Sequence, residues 1–327
     1  MTQTVLVLTD EEDRTASRVT AELALRGIPV ARLDATDFPV KVSMSAEIST
    51  GGMWSGALTE VETDREVVNL ADVGSVYYRR PTQFTLPEGM SRPEQLFAYG
   101  EARRGFGGVM QALGGVRWVN DPVAAARCEY KPNQLAAAAA VGLHIPRTII
   151  TNEPERAHHW AKELARPIVY KPLAGIWHGD EGQIRVIYTS PVTDADELLD
   201  PALGRTAHLF QQQVDKEHEA RAVVVGDRVF TVAIDAASEA ARTDWRSDYD
   251  ALSYRTIDLP DDVSVRLVEL HKRLGLVFGA ADLIRDTSGR WIFLETNQSG
   301  EWGWLASKVG ISVAGALADL LSKEARQ

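Results

Sequence analysis

Residues 279–297 read GAADLIRDTSGRWIFLETN, two apolar runs on either side of a polar turn. This pattern predicts a β-hairpin that turns at Asp286 to Gly289. In that register Asp282 lies opposite Phe293 and diagonal to Glu295, roughly 7–8 Å away along the backbone. Because side chains alternate between the two faces of a strand, Asp282, Phe293 and Glu295 are predicted to share one face of the sheet.

Asn297 falls on the same predicted face, so two carboxylates and one amide oxygen converge there. These oxygen donors suit Mg²⁺, which binds a few protein oxygens and completes its octahedron with water and phosphate. An exposed polar face on an ordinary hairpin explains the same spacing. The hairpin alone leaves both interpretations open.

Composition and charge exclude several classes of protein. The 327 residues allow one large domain or two to three smaller units, and the net charge of −11 opposes general binding to nucleic acid or to an anionic membrane surface. The single cysteine, Cys128, excludes internal disulfides and cysteine-rich metal sites. No stretch has the layout of a secretion signal or of a membrane span, so a cytoplasmic setting is expected.

The chain begins with a predicted β-α-β unit whose strands are Val5 to Thr9 and Val30 to Asp34. The turn at Asp10 to Asp13 contains no glycine, and no Gly-Lys dipeptide occurs anywhere. A dinucleotide site in the first turn and a Walker phosphate loop are therefore not expected.

Changes in element pattern predict three units: an amino-terminal α/β domain over residues 1–118, an α+β unit over 119–207 and a carboxy-terminal α+β unit over 208–327. In the second unit Lys131 precedes Pro132 at a break between helices, because proline can begin a helix but cannot continue one. A helix is also predicted from Asp194 to Leu203.

The order of these motifs resembles the ATP-grasp superfamily over nearly the whole chain. Lys131 precedes an Ala-rich helix, Lys171 lies in IVYKPL, and the strand FQQQV ends at Val214. The resemblance implies an ATP-grasp fold preceded by an α/β pre-ATP-grasp domain, with ATP and Mg²⁺ as cofactors. The implied ligands are Lys131 and Lys171 for the phosphates, Gln211, Gln212, Gln213 and Val214 for adenine, and Asp282, Glu295 and Asn297 for Mg²⁺.

Two arginines match catalytic segments of the family. Arg221 matches the arginine of an Asp-x-Arg segment, and Arg246 lies in WRSD, similar to the Phe-Arg-Ser-Asn segment of the glutamate-ligase branch. The resemblance implies that Arg221 holds a carboxylate or acylphosphate and that Arg246 stabilises the phosphates. Residues 174–182 take the place of the family's phosphate flap.

Short strings narrow the resemblance further. Tyr77–Pro81 (YYRRP), Asp244–Arg246 (DWR) and Glu301–Leu305 (EWGWL) are similar to the graspetide, or microviridin-type, synthetases. In the last string Trp302 and Trp304 are expected either as core aromatics or as a platform for a peptide.

That resemblance implies an ATP-dependent ligase which activates Asp or Glu side chains of a ribosomal precursor peptide and forms ω-ester or ω-amide crosslinks. The implied partner carries a leader and a core with Asp or Glu plus Thr, Ser or Lys, and a homodimer is left open. One alternative is an ATP-grasp ligase for a free amino acid or a protein tail. Another is a nucleotide-binding regulatory module without turnover, which the complete metal-ligand set disfavours.

Overall fold

The computed structural model describes residues 3–174, 177–180 and 183–323. It opens with a parallel four-stranded sheet whose apolar strands are covered on both faces. In spatial order the strands are β2 (Val30–Leu33), β1 (Thr4–Thr9), β6 (Val73–Arg80) and β7 (Arg117–Val119). The β-α-β start predicted from the sequence is confirmed.

Helices and a second small sheet complete the amino-terminal part. The helices are α1 (Arg14–Leu25) and α2 (Arg92–Gln111), and the antiparallel strands are β3 (Val42–Ile48), β4 (Trp54–Glu60) and β5 (Glu66–Asn69). Asp13 caps α1 by accepting hydrogen bonds from the backbone N–H groups of Thr15 and Ala16.

Two short helices follow, α3 (Pro122–Cys128) and α4 (Lys131–Ala140). They pack against the carboxy-terminal sheet, since Cys128, Ala137 and Ala138 share a core with residues of that sheet. The interruption predicted at Lys131-Pro132 is present, with Lys131 as the first residue of α4.

The central unit is an antiparallel sheet with its own small core around Trp160 and Phe210. Its strands in spatial order are β12 (Ser190–Val192), β9 (Ile168–Lys171), β13 (His208–Gln212) and β8 (Thr148–Thr151), with helix α5 (Pro154–Leu164) and a hairpin of β10 (Trp177–Asp180) and β11 (Gln183–Val186). Residues 208–212 thus pair with this sheet, although the sequence-based boundary assigns them to the third unit.

The helix predicted from Asp194 to Leu203 is wrong. The structure has two short 3-10 turns there, Ala195–Leu199 and Pro201–Arg205. The backbone of Asp200 is extended, because the ring of the following proline disfavours helical geometry at the residue before it.

The carboxy-terminal unit is a five-stranded antiparallel sheet. In spatial order its strands are β16 (Leu252–Ile257), β15 (Arg228–Ala236), β14 (Lys216–Val225), β17 (Phe278–Asp286) and β18 (Trp291–Asn297), with helices α6 (Glu239–Thr243), α7 (Asp261–Leu274), α8 (Gly303–Val309) and α9 (Val313–Leu321). One sheet edge is therefore β18, which carries the predicted metal ligands Glu295 and Asn297, while Asp282 lies on the adjacent β17. Within the described ranges, no helix is long and apolar enough to cross a membrane.

Candidate active site

A polar pocket lies between the central and carboxy-terminal sheets. Its lining comes from both sheets and from the segment that contains α6 and the residues after it. The lining includes Lys171, Gln211, Gln212, Gln213, Val214, Lys216, Glu219, Asp244, Trp245, Arg246, Asp282, Leu294 and Glu295. The structure therefore brings most of the residues singled out from the sequence into one cleft.

The hairpin that carries the acidic residues has a different register from the one predicted. Asp282 pairs directly with Glu295, whereas Leu283 pairs with Phe293, so Leu294 is an extra residue in β18. Phe293 lies in the core with Leu283, and the prediction that it faces the same way as Asp282 is wrong. The bulge rotates β18 locally, so that Leu294 and Glu295 both line the pocket.

Asn297 is not among the residues that line the pocket with the two carboxylates. It is exposed, pairs with Ala280 in the sheet, and its Oδ1 accepts a hydrogen bond from the backbone N–H of Ser299 at 2.9 Å. In the described part of the chain, no cluster of three or more His, Cys, Asp or Glu side chains is arranged around a common point. A cation here would need the Asn297 amide, water or phosphate oxygens beside the two carboxylates.

Asp282 is held by Arg221, its neighbour across β14 and β17. Arg221 donates from Nε to Oδ1 at 2.9 Å and from Nη2 to Oδ2 at 3.0 Å. Its Nη1 donates to the backbone oxygen of Glu301 at 3.1 Å, and its guanidinium lies 5.0 Å from the centre of the Trp245 ring. Both charged groups are buried, so this fork fixes the Asp282 carboxylate in one orientation.

Glu295 lies among three cations. Its carboxylate accepts a hydrogen bond from Lys131, and Arg246 Nη1 lies 4.0 Å from its Oε1. Burial favours the neutral acid, but Lys131, Lys171 and Arg246 outweigh it and hold the pKa of Glu295 below its usual range. Burial also lowers the pKa of Lys171, although Glu295 opposes that shift. These positive charges therefore keep Glu295 ionised.

Arg246 is paired with a residue to which the sequence analysis gave no role. Asp244 accepts from Arg246 Nε at 2.8 Å and Nη2 at 2.7 Å, and from the backbone N–H of Thr189 at 3.1 Å. Burial would raise the pKa of Asp244, yet the bonds to Arg246 lower it to about 2. The string DWR could have indicated this pair, since an acidic residue two positions before an arginine can accept hydrogen bonds from it within one turn.

Lys216 and Glu219 form a second ion pair in the pocket that sequence reasoning missed. Burial raises the pKa of Glu219, against the opposing effect of Lys216. The alternation of side chains along a strand could have identified Glu219, because it lies two residues before Arg221 on β14 and faces the same way.

The predicted adenine strand runs along the pocket wall. The side chain of Gln211 is buried and donates to Thr148 Oγ1 at 2.9 Å. The backbone N–H groups of Gln212 and Gln213 donate to the carbonyls of Arg147 and Pro167, each at 2.8 Å. These bonds fix the end of β13, where Gln212 pairs with Ile168 of β9.

The two tryptophans of EWGWL have different surroundings. Trp302 is fully buried in the core beneath the amino-terminal sheet. Trp304 stacks on Trp245 with ring centres 5.6 Å apart, next to the pocket. The segment 174–182, predicted as the phosphate flap, lies partly outside the described residues.

Comparisons with known proteins agree with this architecture. Residues 4–126 match the family described as the MvdD pre-ATP grasp domain. A RiPP-associated ATP-grasp ligase of Chryseobacterium gregarium, solved with ADP and a leader and core peptide, superposes with a TM-score of 0.86 at 27% identity, covering 98% of this chain and 95% of that one.

Two further relatives extend the comparison. The macrocyclase MdnC of Microcystis aeruginosa, solved with its precursor peptide MdnA, is 30% identical with a TM-score of 0.83, over 98% of this chain and 99% of that chain. A probable alpha-L-glutamate ligase of Teredinibacter turnerae is 27% identical over 213 residues, 64% of this chain and 68% of the relative. The chain therefore belongs to the ADP-forming ATP-grasp ligases, in a family with the peptide macrocyclase MdnC.

Proposed function

We propose that this ligase modifies a ribosomal precursor peptide, activating Asp or Glu side chains with ATP and joining them to Thr, Ser or Lys as ω-esters or ω-amides. The observation that carries the proposal is the convergence of Lys171, Arg246, Asp282 and Glu295 in one cleft between two sheets. Similarity over 98% of the chain to two ligases solved with peptides supports a peptide as the substrate class.

The nucleotide is assigned to the same cleft. Gln211, Gln212, Gln213 and Val214 would hold the adenine, and Lys131 and Lys171 would hold the phosphates. Both lysines lie near Glu295, so the phosphate end of ATP would lie beside the hairpin. Cations at these positions would stabilise the charge that shifts towards ADP as the γ-phosphoryl group moves.

The donor set fits a magnesium ion. Asp282 and Glu295 pair across the hairpin and supply two carboxylates, and Asn297 supplies an amide oxygen on the same strand as Glu295. Bound there, Mg²⁺ would neutralise phosphate charge. The bonds from Arg221 to Asp282 and from Lys131 to Glu295 occupy part of these oxygens, so this assignment requires the Lys131 contact to yield when nucleotide and metal enter.

The reaction proceeds in two displacements. A substrate carboxylate oxygen attacks the γ-phosphorus of ATP, and the bond from that phosphorus to the β–γ bridging oxygen breaks, giving an acylphosphate and ADP. The hydroxyl or amine of the acceptor residue then attacks the acyl carbon and loses its proton to solvent, while phosphate leaves with the carbon–oxygen bonding electrons. Each ring formed removes one water from the peptide.

Arg246 is the proposed contact for the reacting carboxylate or its phosphate. Its side chain lines the pocket and reaches within 4.0 Å of Glu295, and Asp244 fixes the orientation of its guanidinium. Arg221 is the second proposed catalytic arginine, although its guanidinium is directed at Asp282. For Arg221 the structure favours a more limited role, which is to hold the Asp282 carboxylate.

A second candidate function is ligation of a free amino acid to another protein or small molecule. The glutamate-ligase relatives favour it, including the ribosomal protein bS6–L-glutamate ligase of Escherichia coli at 25% identity. Those matches span 64% and 63% of this chain, whereas the peptide-bound ligases match almost all of it.

The test compares substrate classes by ADP release. The protein is incubated with ATP and Mg²⁺, together with either candidate leader–core peptides or free glutamate, and hydroxylamine is added to trap acylphosphates. We expect ADP release that requires peptide and a hydroxamate on a peptide Asp or Glu. ADP release that requires free glutamate and not peptide would support the alternative.

A further inference from the structure

The amide of Gln134 contacts β18, the strand that carries the candidate metal ligands Glu295 and Asn297. Gln134 is buried in α4 and lies 162 residues before Thr296 of β18 in the sequence. Its Oε1 accepts a hydrogen bond from the backbone N–H of Thr296 at 2.7 Å, and its Nε2 donates to the backbone oxygen of Thr296 at 2.9 Å. One side chain therefore satisfies both backbone polar groups of one residue.

This arrangement replaces a missing neighbouring strand. β18 is an edge strand, so the backbone groups that point away from β17 have no ladder partner. The backbone N–H of Phe293 donates to the carbonyl of His144 at 2.8 Å. At Thr296 the side chain of Gln134 provides the hydrogen-bond partners. Buried backbone groups left unpaired are costly, so the amide fixes the end of β18 to α4.

A second helix holds the same residue. The Nδ1 of His271 lies 2.8 Å from the carbonyl of Leu267, and its Nε2 lies 3.0 Å from Thr296 Oγ1. Because a carbonyl can only accept, Nδ1 carries the proton and Nε2 accepts the Thr296 hydroxyl. Thr296 is thus tied to α4 through its backbone and to α7 through its side chain.

Thr296 lies between Glu295 and Asn297 in sequence, and the helix that carries Gln134 also supplies Lys131 to Glu295. We propose that Gln134 is a positioning residue that sets the geometry of Glu295 and Asn297 for a divalent cation by clamping the backbone of Thr296. The inference rests on the proposed function, because it assumes that these two side chains face a metal-bound nucleotide.

The experiment measures binding and needs no peptide. ADP affinity is determined by titration calorimetry at a series of Mg²⁺ concentrations for the parent, Gln134→Met and Leu135→Ala. Methionine keeps the length of glutamine but removes its two hydrogen bonds to Thr296 and a third to the carbonyl of Cys128. Leu135 is the buried neighbour on α4 and has no polar group to offer Thr296. Gln134→Met thus tests the hydrogen bonds to Thr296, and Leu135→Ala tests the effect of weaker packing of α4.

We expect the Mg²⁺ concentration that gives half of the gain in ADP affinity to rise about 10-fold in Gln134→Met, as is typical when a partner of a metal ligand is removed. ADP affinity without metal should be unchanged. In Leu135→Ala thermal stability should fall while the Mg²⁺ dependence stays that of the parent.

An unchanged Mg²⁺ dependence in Gln134→Met, or an equal shift in Leu135→Ala, overturns the inference and leaves the proposed function standing. Mg²⁺-independent ADP binding by the parent overturns the metal assignment of the proposed function and the inference with it. If Gln134→Met does not fold, Gln134→Asn decides: it keeps the amide but is one methylene too short to hold the Thr296 backbone, so the Mg²⁺ dependence should shift several-fold, and no shift contradicts the inference.

Discussion

Arg221 and Asp282 form a buried two-pronged ion pair that joins β14 to β17 at the floor of the cleft, with N–O distances of 2.9 and 3.0 Å. The same guanidinium also donates to the carbonyl of Glu301. Glu301 in turn pairs with Arg79 at the end of β6 in the amino-terminal domain. Asp282 is therefore positioned by contacts that extend into the amino-terminal domain.

Arg221→Lys tests whether the fork, and not only the charge, positions Asp282. Lysine keeps the positive charge but cannot donate two parallel hydrogen bonds. We expect ATP turnover to fall at least about 10-fold, as for other residues that orient a metal ligand. Steady-state ADP release measures the loss. Arg228→Lys is the matched control, because Arg228 forms its ion pair with Asp319 at the surface; an equal loss there would argue for a general effect of losing arginine.

Glu295→Gln should nearly abolish ATP turnover while the protein still folds. The amide keeps the volume but removes the negative charge that faces Lys131, Lys171 and the proposed cation. ADP release reports activity and thermal unfolding reports the fold. Glu217→Gln, at an exposed position on β14, should leave turnover unchanged. ATP consumption by Glu295→Gln equal to that of the parent would rule out Glu295 as a metal ligand.

Lys131→Ala and Lys171→Ala should each reduce kcat as well as nucleotide affinity. Both lysines are assigned to phosphate groups whose charge redistributes during transfer. Each should therefore stabilise the transition state more than bound ATP, so that its removal lowers kcat and not only affinity. Kinetics at saturating ATP separate the two effects. The exposed Lys162 is paired with Asp196 and offers a control in Lys162→Ala. Turnover that returns to the parent value at high ATP would remove that lysine from the chemical step.

The pH dependence of ATP use should reveal the half-buried Lys171. Burial lowers the pKa of Lys171 below 10.5, so in the folded protein it loses its proton at a lower pH than an exposed lysine does. Since only the charged form attracts phosphate, kcat/KM for ATP should decline on the alkaline side, starting below the ordinary lysine range. Lys171→Arg should move that decline to higher pH, because arginine stays protonated. A decline unaffected by Lys171→Arg would assign it to another group.

The sign of the stability effect follows from the same shift. Because the folded state binds the Lys171 proton more weakly than the unfolded chain does, this group disfavours folding while it is charged. That cost diminishes as pH rises through the folded pKa towards the unfolded one. Lys171→Met should therefore stabilise the fold at neutral pH, because the lowered pKa means that the cost of burial exceeds the attraction to Glu295. Thermal unfolding of the variant and the parent measures the difference, and a less stable variant would contradict the expectation.

Sequence patterns identified most of the candidate site because its residues lie in short motifs that follow one another in a recognisable order. These motifs are a lysine before Pro132, a lysine at the end of β9, and an acidic hairpin. Local patterns could not show the bulge at Leu294, since period-two alternation carries no mark of an inserted residue. They also gave no role to Gln134, whose partner Thr296 is distant along the chain. Such contacts depend on tertiary packing.

The central claim is tested most directly by the mass of a peptide after reaction. The protein is incubated with ATP, Mg²⁺, free glutamate and leader–core peptides that contain Asp or Glu together with Thr, Ser or Lys, and the products are analysed by mass and fragmentation. The account predicts loss of one water for each crosslink, with fragments that join an acidic side chain to a hydroxyl or amine, and no loss with Glu295→Gln. ATP consumption that instead adds the mass of a free amino acid to its acceptor, with no loss of water within any peptide, would contradict it.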